Sequence, residues 1–539
     1  MTVTDTTRES TDPAGALLPL SFHQEFLCMF DNGREEGPFG PKYHIVGAWR
    51  IEGELDTATL QAALDDVVER HEALRTEIVR NGDSHAQRIL PPTSPRLDVR
   101  DLTDTAPEDR DRRADELLND VEDGRLSIRR LPLLRAVLGR FDDRDAVLAL
   151  IAHHTAADAW AMHVIMRDLA ACYAARRDGT SPDLPEASQY REYAQWEREA
   201  SLSPGAERRR AYWRRKLSGA AILALPTDEP RSANLPKTTA WLRFALDADL
   251  AEAVPALARE SRGSAFMTLL AAYKVFLHRQ TGATDITIPT FSSGRGQERF
   301  QDTVGSFINF LPLRTDIAGC GTFREVIRRV RTTCAEAYTH EIPFSELMRE
   351  APGLMAAAAT DDHQITAFQA VHAPFDTADR EAGGIRYTKA WKRLLSQSDG
   401  SDVPDGILWS LHIDPSGEMV GSLGFNTNRY REETMRRQLD DFIGLLRELV
   451  AAPDAPLETR SSSVVEEKVR EMWTAVLGAS DTPGATFFEL GGQSISAVRL
   501  VGRIEQELGV WVDVDVLFDD PDLETFTKAV LAAAAEPTA

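Results

Sequence analysis

Residues 146–160 read AVLALIAHHTAADAW, and this stretch decides how the first part of the chain folds. The apolar run at 146–152 is short, continuous and aliphatic, which is typical of a strand buried on both faces. From about Asp158 to Arg177 the apolar residues follow a helical spacing. The stretch therefore predicts a buried strand and a long helix, with two histidines between them.

These histidines, His153 and His154, are candidates for proton chemistry. Adjacent residues of an extended chain point to opposite sides, so the pair cannot form the i, i+4 metal site of a helix. One can face a cavity while the other packs, and an imidazole is the natural proton acceptor near neutral pH. Asp158 is placed to fix the local backbone or to pair with a cation. Two satisfied structural histidines are the alternative.

Helical and strand patterns alternate through most of the chain. The segment DTATLQAALDDVVERHEAL has Asp56 in the N-cap position and apolar residues on one helical face. Near Arg177 the run RRDGTSPDLPEAS has the composition of an exposed connection. We therefore predict two α/β lobes, at residues 15–180 and 181–450.

A second break precedes the C-terminal segment. The run AAPDAPLETRSSS at 451–463 is rich in Pro and Ser, as in a linker. Residues 464–534 have helical spacing and little strand signal, which predicts an all-α four-helix bundle. There FFELGGQS places Gly491 and Gly492 before Ser494, so the backbone can turn tightly and Ser494 can cap the next helix with its hydroxyl exposed. An ordinary N-cap serine is the alternative.

Charge and cysteine content narrow the class of protein. The 539 residues include 61 Lys and Arg against 85 Asp and Glu, and the net charge of -24 disfavours nucleic acid and anionic membranes as partners. The four cysteines lack CxxC spacing, so neither a disulfide framework nor a metal site is expected. A polar N-terminus and the lack of a long apolar stretch argue against secretion and membrane insertion, and we expect a cytoplasmic location.

The stretch HHTAADAW resembles the HHxxxDG signature of nonribosomal peptide synthetase condensation domains, relatives of chloramphenicol acetyltransferase, with Ala159 in place of the glycine. Other family landmarks follow in chain order: LPLSFHQEFL near Ser21, ERHEALRTEI at 69–78, YREYAQW at 190–196, VGSFINFLPLR at 304–314 and HEIPFSEL at 340–347. The resemblance covers about residues 15–450. It implies an α/β fold of two chloramphenicol acetyltransferase-like lobes in a V-shaped pseudodimer, with a tunnel at their junction.

The resemblance also implies roles for single residues. His154 would be catalytic and would accept or orient the proton of an attacking amine, while His153 would pack and orient. Asp158 would form a structural ion pair, for which we expect Arg295 in SSGRGQE as the partner. A simple complement to the positive end of its helix is the alternative for Asp158. Ala159 adds a methyl group that can narrow the tunnel, and we expect it to be tolerated. Four other residues are expected to be structural: His71, Arg75, Trp160 and His340.

The segment 463–534 resembles a peptidyl carrier protein over its whole length. In that family the serine that matches Ser494 bears 4'-phosphopantetheine, a flexible arm whose thiol holds acyl groups as thioesters. Gln493 stands where His or Asp is usual. This departure bears on partner choice more than on modification, because the hydroxyl and the glycines are intact.

Together the resemblances imply an enzyme that forms an amide bond between a carrier-bound donor thioester and an amine acceptor, tethered to Ser494 and loaded in trans. The paired histidines argue against heterocyclisation, and the lack of an EGHGRE-like stretch argues against epimerisation. With no room for an adenylation domain before the carrier, the expected partners are an upstream donor carrier, a stand-alone adenylation enzyme, a phosphopantetheinyl transferase, and downstream modules or tailoring enzymes. Ester formation or acyl transfer to a soluble nucleophile, with the carrier as donor, is one alternative. A non-catalytic recruitment module is the other.

Overall fold

The computed structural model describes residues 16–81, 84–372, 380–390, 392–403, 406–413, 417–457, 462–478, 484–508, 510–519 and 521–535. The chain forms two compact units, which we name the large unit and the small unit. The large unit contains the residues up to Tyr273, Asp285–Gly319 and Phe323–Pro453, and the small unit contains Lys274–Thr284, Cys320–Thr322 and the residues from Asp454 onward. Among the helices in the described ranges, none is long and apolar enough to cross a membrane.

The elements alternate along the chain as the hydrophobic patterns predict. The strands are β1 (Leu17–Leu18), β2 (His44–Glu52), β3 (Thr76–Asn81), β4 (Ser84–Ile89), β5 (Arg96–Asp101), β6 (Leu134–Arg140), β7 (Asp145–His153), β8 (Ala224–Pro226), β9 (Thr239–Ala245), β10 (Asp285–Ser292), β11 (Asn309–Asp316), β12 (His363–His372), β13 (Arg380–Ala382), β14 (Ile385–Lys389), β15 (Ile407–Ile413) and β16 (Met419–Asn426). The helices are α1 (Phe22–Cys28), α2 (Thr57–Arg70), α3 (Arg110–Asp123), α4 (Ala159–Asp178), α5 (Tyr190–Ser201), α6 (Pro204–Lys216), α7 (Ala248–Glu260), α8 (Ala265–Thr281), α9 (Phe323–Thr339), α10 (Phe344–Glu350), α11 (Glu432–Ala451), α12 (Ser462–Leu477), α13 (Ser494–Leu508), α14 (Asp515–Phe518) and α15 (Leu523–Ala535). Asp56 caps α2 as predicted, since its carboxylate accepts a 2.7 Å hydrogen bond from the amide of Thr59.

The first sheet of the large unit has the strand order β13-β14-β2-β7-β6-β5. In β7, Val147, Ala149 and Ile151 pack in one apolar layer with α3, whereas Leu148 and Leu150 pack in another with α2 and α4. Successive side chains of a strand point to opposite faces, and here both faces are covered. This explains the unbroken apolar run in the sequence and confirms the predicted buried strand.

The second sheet has the order β8-β12-β15-β16-β9. Strands β12 and β15 run parallel, with Phe368 opposite Trp409, and β15, β16 and β9 are antiparallel. Trp409 is fully buried, and its ring lies 5.1 Å from that of Phe442 on α11. Aromatic packing between this sheet and α11 therefore forms the core of the second half.

The first sheet is completed by chain from the second half. Residues Arg386–Lys389 of β14 pair antiparallel with Trp49–Glu52 of β2, and β13 lies outside β14. The sheet built on residues 44–153 thus takes two strands from beyond residue 379. The hairpin of β13 and β14 is far from β2 in the sequence, and its pairing with β2 holds the two halves of the large unit together.

A buried ionic cluster adds to this connection. Glu122 on α3 accepts hydrogen bonds from Arg243 on β9 at 2.6 Å, from Gln397 at 2.7 Å and from Arg393. Burial alone would raise the pKa of Glu122, but the charges of Arg393 and Arg243 lower it to about 2. The carboxylate is therefore ionised and serves as the anionic centre between the two halves.

The small unit contains the C-terminal helices α12, α13, α14 and α15, which agrees with the predicted all-α bundle. Its core is centred on Trp473, whose ring lies 5.3 Å from Phe487 and 5.6 Å from Phe526. The predicted linker begins at the last residue of α11. Part of it, residues 458–461, lies outside the described residues.

Candidate active site and carrier serine

Strand β7 ends at His153, whose ring is held on both sides. Its Nε2 lies 3.1 Å from the carbonyl oxygen of Gly40, and its Nδ1 lies 2.9 Å from Oγ1 of Thr155. The side chain is fully buried, and burial lowers the pKa of His153 to about 3. His153 is thus a neutral, hydrogen-bonded histidine that fixes the turn after β7.

His154 has a different environment, because it is only half-buried. Its amide donates to the carbonyl of Tyr43 at 3.0 Å, and the two rings lie 5.0 Å apart. The Nδ1 atom is buried and makes no hydrogen bond of ordinary geometry to the described residues. Burial lowers the pKa of His154, although the charge of Asp158 opposes this effect. The imidazole is therefore neutral near pH 7 and can accept a proton. In the described ranges no group of His, Cys, Asp and Glu side chains could hold a metal ion.

Asp158 caps α4 and also bridges to the other half of the large unit. Its carboxylate accepts hydrogen bonds from the amides of Ala161 at 2.7 Å and Phe307 at 2.9 Å. Nη2 of Arg295 lies 3.3 Å from Oδ1 of Asp158, and both side chains are buried. The structure thus combines the two roles considered for Asp158, the ion pair with Arg295 and the complement to the helix N-terminus.

Arg295 is anchored beyond this pair. Its Nη1 donates to the carbonyls of Phe300 and Thr303, each at 2.8 Å, and its Cζ lies 3.9 Å from the centre of the Phe307 ring. The guanidinium is therefore placed by backbone and aromatic contacts as well as by Asp158. This network fixes the segment 295–307 against the turn that carries His154.

Ala159 is the first residue of α4 and is exposed. A residue in helical conformation does not need the backbone freedom of glycine, so the alanine introduces no strain at this position. The neighbouring Trp160 is half-buried, and its Nε1 donates to the carbonyl of Gln301 at 2.9 Å. Trp160 thus helps to attach α4 to the segment that contains Arg295.

The other residues expected to be structural have ordinary partners. Nε2 of His71 lies 2.9 Å from the buried carboxylate of Asp168, and Arg75 donates to the carbonyl of Leu90 at 2.7 Å. His340 stacks on Tyr212, with ring centres 4.0 Å apart. These contacts stabilise the fold at positions where the sequence suggested no chemistry.

Sequence reasoning missed a cavity of about 490 Å³ in the large unit. It is lined by α1, α5, α6 and α10 and by the segments 294–297, 307–310 and 338–343. His23 on α1 lines it, and burial lowers the pKa of His23 to about 3, so this imidazole is neutral. The lining residues come from four distant parts of the sequence, so no local pattern could have revealed the cavity.

A second missed feature is a contact between a lysine and a histidine. Nζ of Lys389 on β14 lies 2.7 Å from Nε2 of His163 on α4. Burial lowers the pKa of Lys389 to about 7, and burial together with the Lys389 charge lowers the pKa of His163 to about 3. The pairing of β14 with β2 creates this contact, and the sequence carried no signal for that pairing.

In the small unit both glycines of the GGQS motif are required by the geometry. Gly491 has a φ of +86°, a left-handed conformation that favours glycine. A Cβ on Gly492 would lie 2.4 Å from Cε1 of Phe487, closer than atoms can approach. The two glycines therefore place the chain tightly against Phe487 immediately before Ser494.

Ser494 is exposed and is the first residue of α13. The sequence predicts Ser494 as the N-cap. In the structure the helix begins at Ser494 itself, so Gln493 precedes it in the N-cap position. Ile495 and Val498 beside it are 69% and 60% exposed. An accessible hydroxyl with apolar neighbours fits the covalent attachment of a long arm such as phosphopantetheine, and Ser494 would hold it.

Comparison with known proteins adds two family matches. Residues 17–471 match the family described as Condensation domain, and residues 467–530 match the family described as Phosphopantetheine attachment site. A linear gramicidin synthase of Brevibacillus parabrevis is 33% identical over 461 residues, which cover 85% of this chain but 6% of that protein. The chain thus spans a small part of this relative's length.

Solved structures show the same fold. The first condensation domain of the calcium-dependent antibiotic synthetase, solved in complex with a substrate analogue, has a TM-score of 0.66 at 21% identity, and the match covers 83% of this chain and 99% of that one. SgcC5 from Streptomyces globisporus is 61% identical with a TM-score of 0.79, covering 81% of this chain and all of its own. The expected α/β fold, followed along the chain by a helical bundle, is confirmed.

Proposed function

Because the chain belongs to the condensation-domain family of nonribosomal peptide synthetases, with a phosphopantetheine attachment domain behind it, we propose that it joins an acyl thioester to an amine and so forms an amide. One observation carries the proposal: the neutral, half-buried imidazole of His154 stands at the end of β7, on a turn that His153 and Asp158 hold in place. That arrangement presents a proton acceptor in a defined position, as thioester aminolysis requires.

The reaction exchanges one bond for another. The phosphopantetheine arm that Ser494 would hold supplies a thiol on which a substrate is carried as a thioester. The amine nitrogen bonds to the acyl carbon, the carbon–sulfur bond breaks, and the proton released by the amine returns to the thiol. His154 accepts or orients that proton, a role typically worth about 10²–10⁴ in rate. Placement of both substrates contributes the larger part of the acceleration.

Condensation and carrier domains act with other carriers and with adenylation domains. For this chain we propose an upstream carrier as donor, a stand-alone adenylation enzyme that loads Ser494, and a phosphopantetheinyl transferase that modifies it. This proposal is supported by the order of the two family matches. They overlap at residues 467–471, which leaves no room for an adenylation domain between them.

A second candidate is ester formation with a soluble acceptor, in which the Ser494 carrier holds the donor. It is favoured by SgcC5, whose crystal structure is a complex with (R)-(-)-1-(2-naphthyl)-1,2-ethanediol, a compound with two hydroxyl groups. The 61% identity to SgcC5 exceeds the 33% identity to the linear gramicidin synthase. A neutral His154 serves a hydroxyl nucleophile as well as an amine.

The test uses the full chain with its carrier converted to the phosphopantetheine form and loaded with an acyl group. Amines, diols and a second loaded carrier are offered in turn, and intact mass spectrometry of the carrier and chromatography of the products show which acceptor is used. His154→Ala should lose product while carrier loading is unchanged, and Ser494→Ala should take up no arm. Unchanged product formation by His154→Ala would refute the assignment of His154, and an arm on Ser494→Ala would refute that of Ser494.

A further inference from the structure

The cavity beside His23 has an aromatic wall. Phe26, Phe310 and Phe344 surround one side, with ring centres 5.1–5.5 Å apart. Such rings offer flat apolar surface and favour edge and offset contacts with another aromatic system. A volume of about 490 Å³ is in the range of sites that enclose a small molecule.

The same cavity contains hydrogen-bonding groups with unused capacity. His23 is 9% exposed, and its Nε2 has no hydrogen-bond partner among the described residues. The buried hydroxyl of Ser345 also has no hydrogen-bond partner among the described residues. A buried polar atom without a partner costs free energy, so atoms of this kind that line a cavity indicate a ligand that completes them.

Three carboxyl groups line the cavity, those of Glu197, Glu341 and Glu346. Glu346 is paired with Arg210, and the other two are only partly satisfied. Glu197 accepts from the amide of Phe22 at 2.8 Å and from the hydroxyl of Tyr193 at 3.0 Å. Glu341 accepts from Nδ2 of Asn309 at 2.9 Å and from the hydroxyl of Ser292 at 3.1 Å. Each carboxylate oxygen has a second lone pair, so both groups can accept a further hydrogen bond.

Glu197 and Glu341 are protonated more readily than ordinary glutamates. Burial raises the pKa of Glu197 to about 7 and also raises the pKa of Glu341. Arg209 lines the cavity as well, and its buried Nε has no hydrogen-bond partner among the described residues. Glu197 and Glu341 present acceptor oxygens to the cavity, so a ligand that donates a hydrogen bond is complementary to them.

We propose that this cavity binds a soluble acceptor substrate, an aromatic molecule bearing a hydroxyl or amino group, with its ring against Phe26, Phe310 and Phe344 and its donor toward Glu197 or Glu341. The proposal rests on the soluble-acceptor form of the proposed function. Its location supports it, because Phe307 lines the cavity and donates its amide to Asp158, four residues after His154. Glu197 and Glu341 then determine which acceptors are recognised.

The first experiment measures binding to the full chain by calorimetry with four probes of similar shape: 2-naphthylethanol, 2-naphthylethylamine, 2-ethylnaphthalene and 2-naphthylacetate. The alcohol or the amine should bind roughly tenfold or more tightly than 2-ethylnaphthalene, which lacks the donor. Whichever of the two binds more tightly identifies the acceptor's functional group. Equal binding of 2-ethylnaphthalene, or tightest binding of the anionic 2-naphthylacetate, overturns the proposal.

The second experiment places the ligand. Phe310→Leu, and at least one of Glu197→Gln and Glu341→Gln, should weaken binding of the preferred probe at least threefold. Glu199→Gln, which changes an exposed carboxylate on the same helix as Glu197, should leave binding unchanged. Thermal unfolding of each variant shows whether it is folded. If neither glutamate variant folds, Phe310→Leu decides the test. Unchanged binding in folded Phe310→Leu, or in both folded glutamate variants, overturns the proposal.

His154→Ala separates this proposal from the proposed function. It should bind the probe as the wild-type chain does and should form no product. A wild-type chain that forms product without binding any probe disproves the cavity as the acceptor site and leaves the condensation function standing. A chain that binds the probe but transfers no acyl group to any acceptor disproves the function instead.

Discussion

Asp158 and Arg295 form a buried ion pair, with Oδ1 and Nη2 3.3 Å apart, between the start of α4 and the other half of the large unit. The other carboxylate oxygen of Asp158 accepts the amide of Phe307 at 2.9 Å. One side chain, four residues after His154, therefore fixes both the turn that carries this histidine and the segment that faces it.

Removal of the carboxylate should destabilise the large unit. In Asp158→Ala the buried guanidinium of Arg295 loses its anion, the amide of Phe307 loses its acceptor and α4 loses its cap, so we expect a loss of roughly 3 kcal/mol in the free energy of unfolding. Urea denaturation measures it. Asp178→Ala, an exposed carboxylate at the other end of α4, is the control and should be nearly neutral. Normal stability and activity in Asp158→Ala would show that the pair is dispensable.

The pH profile should reflect the environment of His154. An ordinary histidine is half protonated at about pH 6.5, and burial lowers the pKa of His154, so the base form persists to lower pH. With a hydroxyl acceptor, the acid limb of kcat/KM should lie below about pH 6.5. Asp158→Asn removes a charge that raises the pKa of His154, so it should shift the acid limb of kcat/KM to still lower pH.

Glu197 is a second group that titrates near neutrality, because burial raises its pKa to about 7. The profile is therefore measured in Glu197→Gln as well as in the wild-type chain. A limb that stays at or above pH 6.5 in both proteins would contradict the proton-accepting role of a neutral His154.

Acid should weaken the cluster around Glu122. The pKa of this carboxyl is lowered from 4.5 to about 2 in the folded chain, so its stabilising contribution is present above about pH 4.5 and is lost as the pH falls toward 2. The full contribution is about 3 kcal/mol. The stability difference between the wild-type chain and Glu122→Gln should therefore shrink as the pH falls through this interval, as followed by chemical denaturation. A constant difference would mean that Glu122 is not ionised in the folded protein.

A methyl group on Gly492 should disturb the small unit. Because the Cβ would lie 2.4 Å from the Phe487 ring, Gly492→Ala must displace a core side chain, and we expect a cost of about 1–3 kcal/mol. Hydrogen exchange over residues 484–508 should become faster. Gly502→Ala in α13, where nothing lies within 4 Å of the new Cβ, is the matched control and should be neutral or stabilising. Unchanged exchange in Gly492→Ala would show that the GGQS turn tolerates a side chain.

Much of the turn that carries His154 follows from local sequence. The apolar run before His153 fits a strand covered on both faces, and the helical spacing starts at about Asp158, so the strand, the turn and the start of α4 could be predicted. The partner of Asp158 came from a family resemblance, since nothing in the spacing of residues 158 and 295 joins them.

The rest depends on contacts between distant segments. Glu197, His23 and Glu341 become neighbours of one cavity only after helices and loops from both halves of the large unit have packed. Strand β14 has no pattern that selects β2 as its partner, and pairing across such a separation is decided by the completed fold. Long-range packing of this kind leaves no local periodicity to read.

The pairing of β14 with β2 also has a consequence for biosynthesis. Glu52 and Arg386, 334 residues apart, lie opposite each other, so the ribosome releases the strand that covers the edge of β2 long after β2 itself. During that interval the growing chain exposes the backbone donors and acceptors of an uncovered sheet edge, which readily pair with another chain. Translation rate and early chaperone contact should therefore govern the yield of folded protein, and a truncation before residue 385 should aggregate.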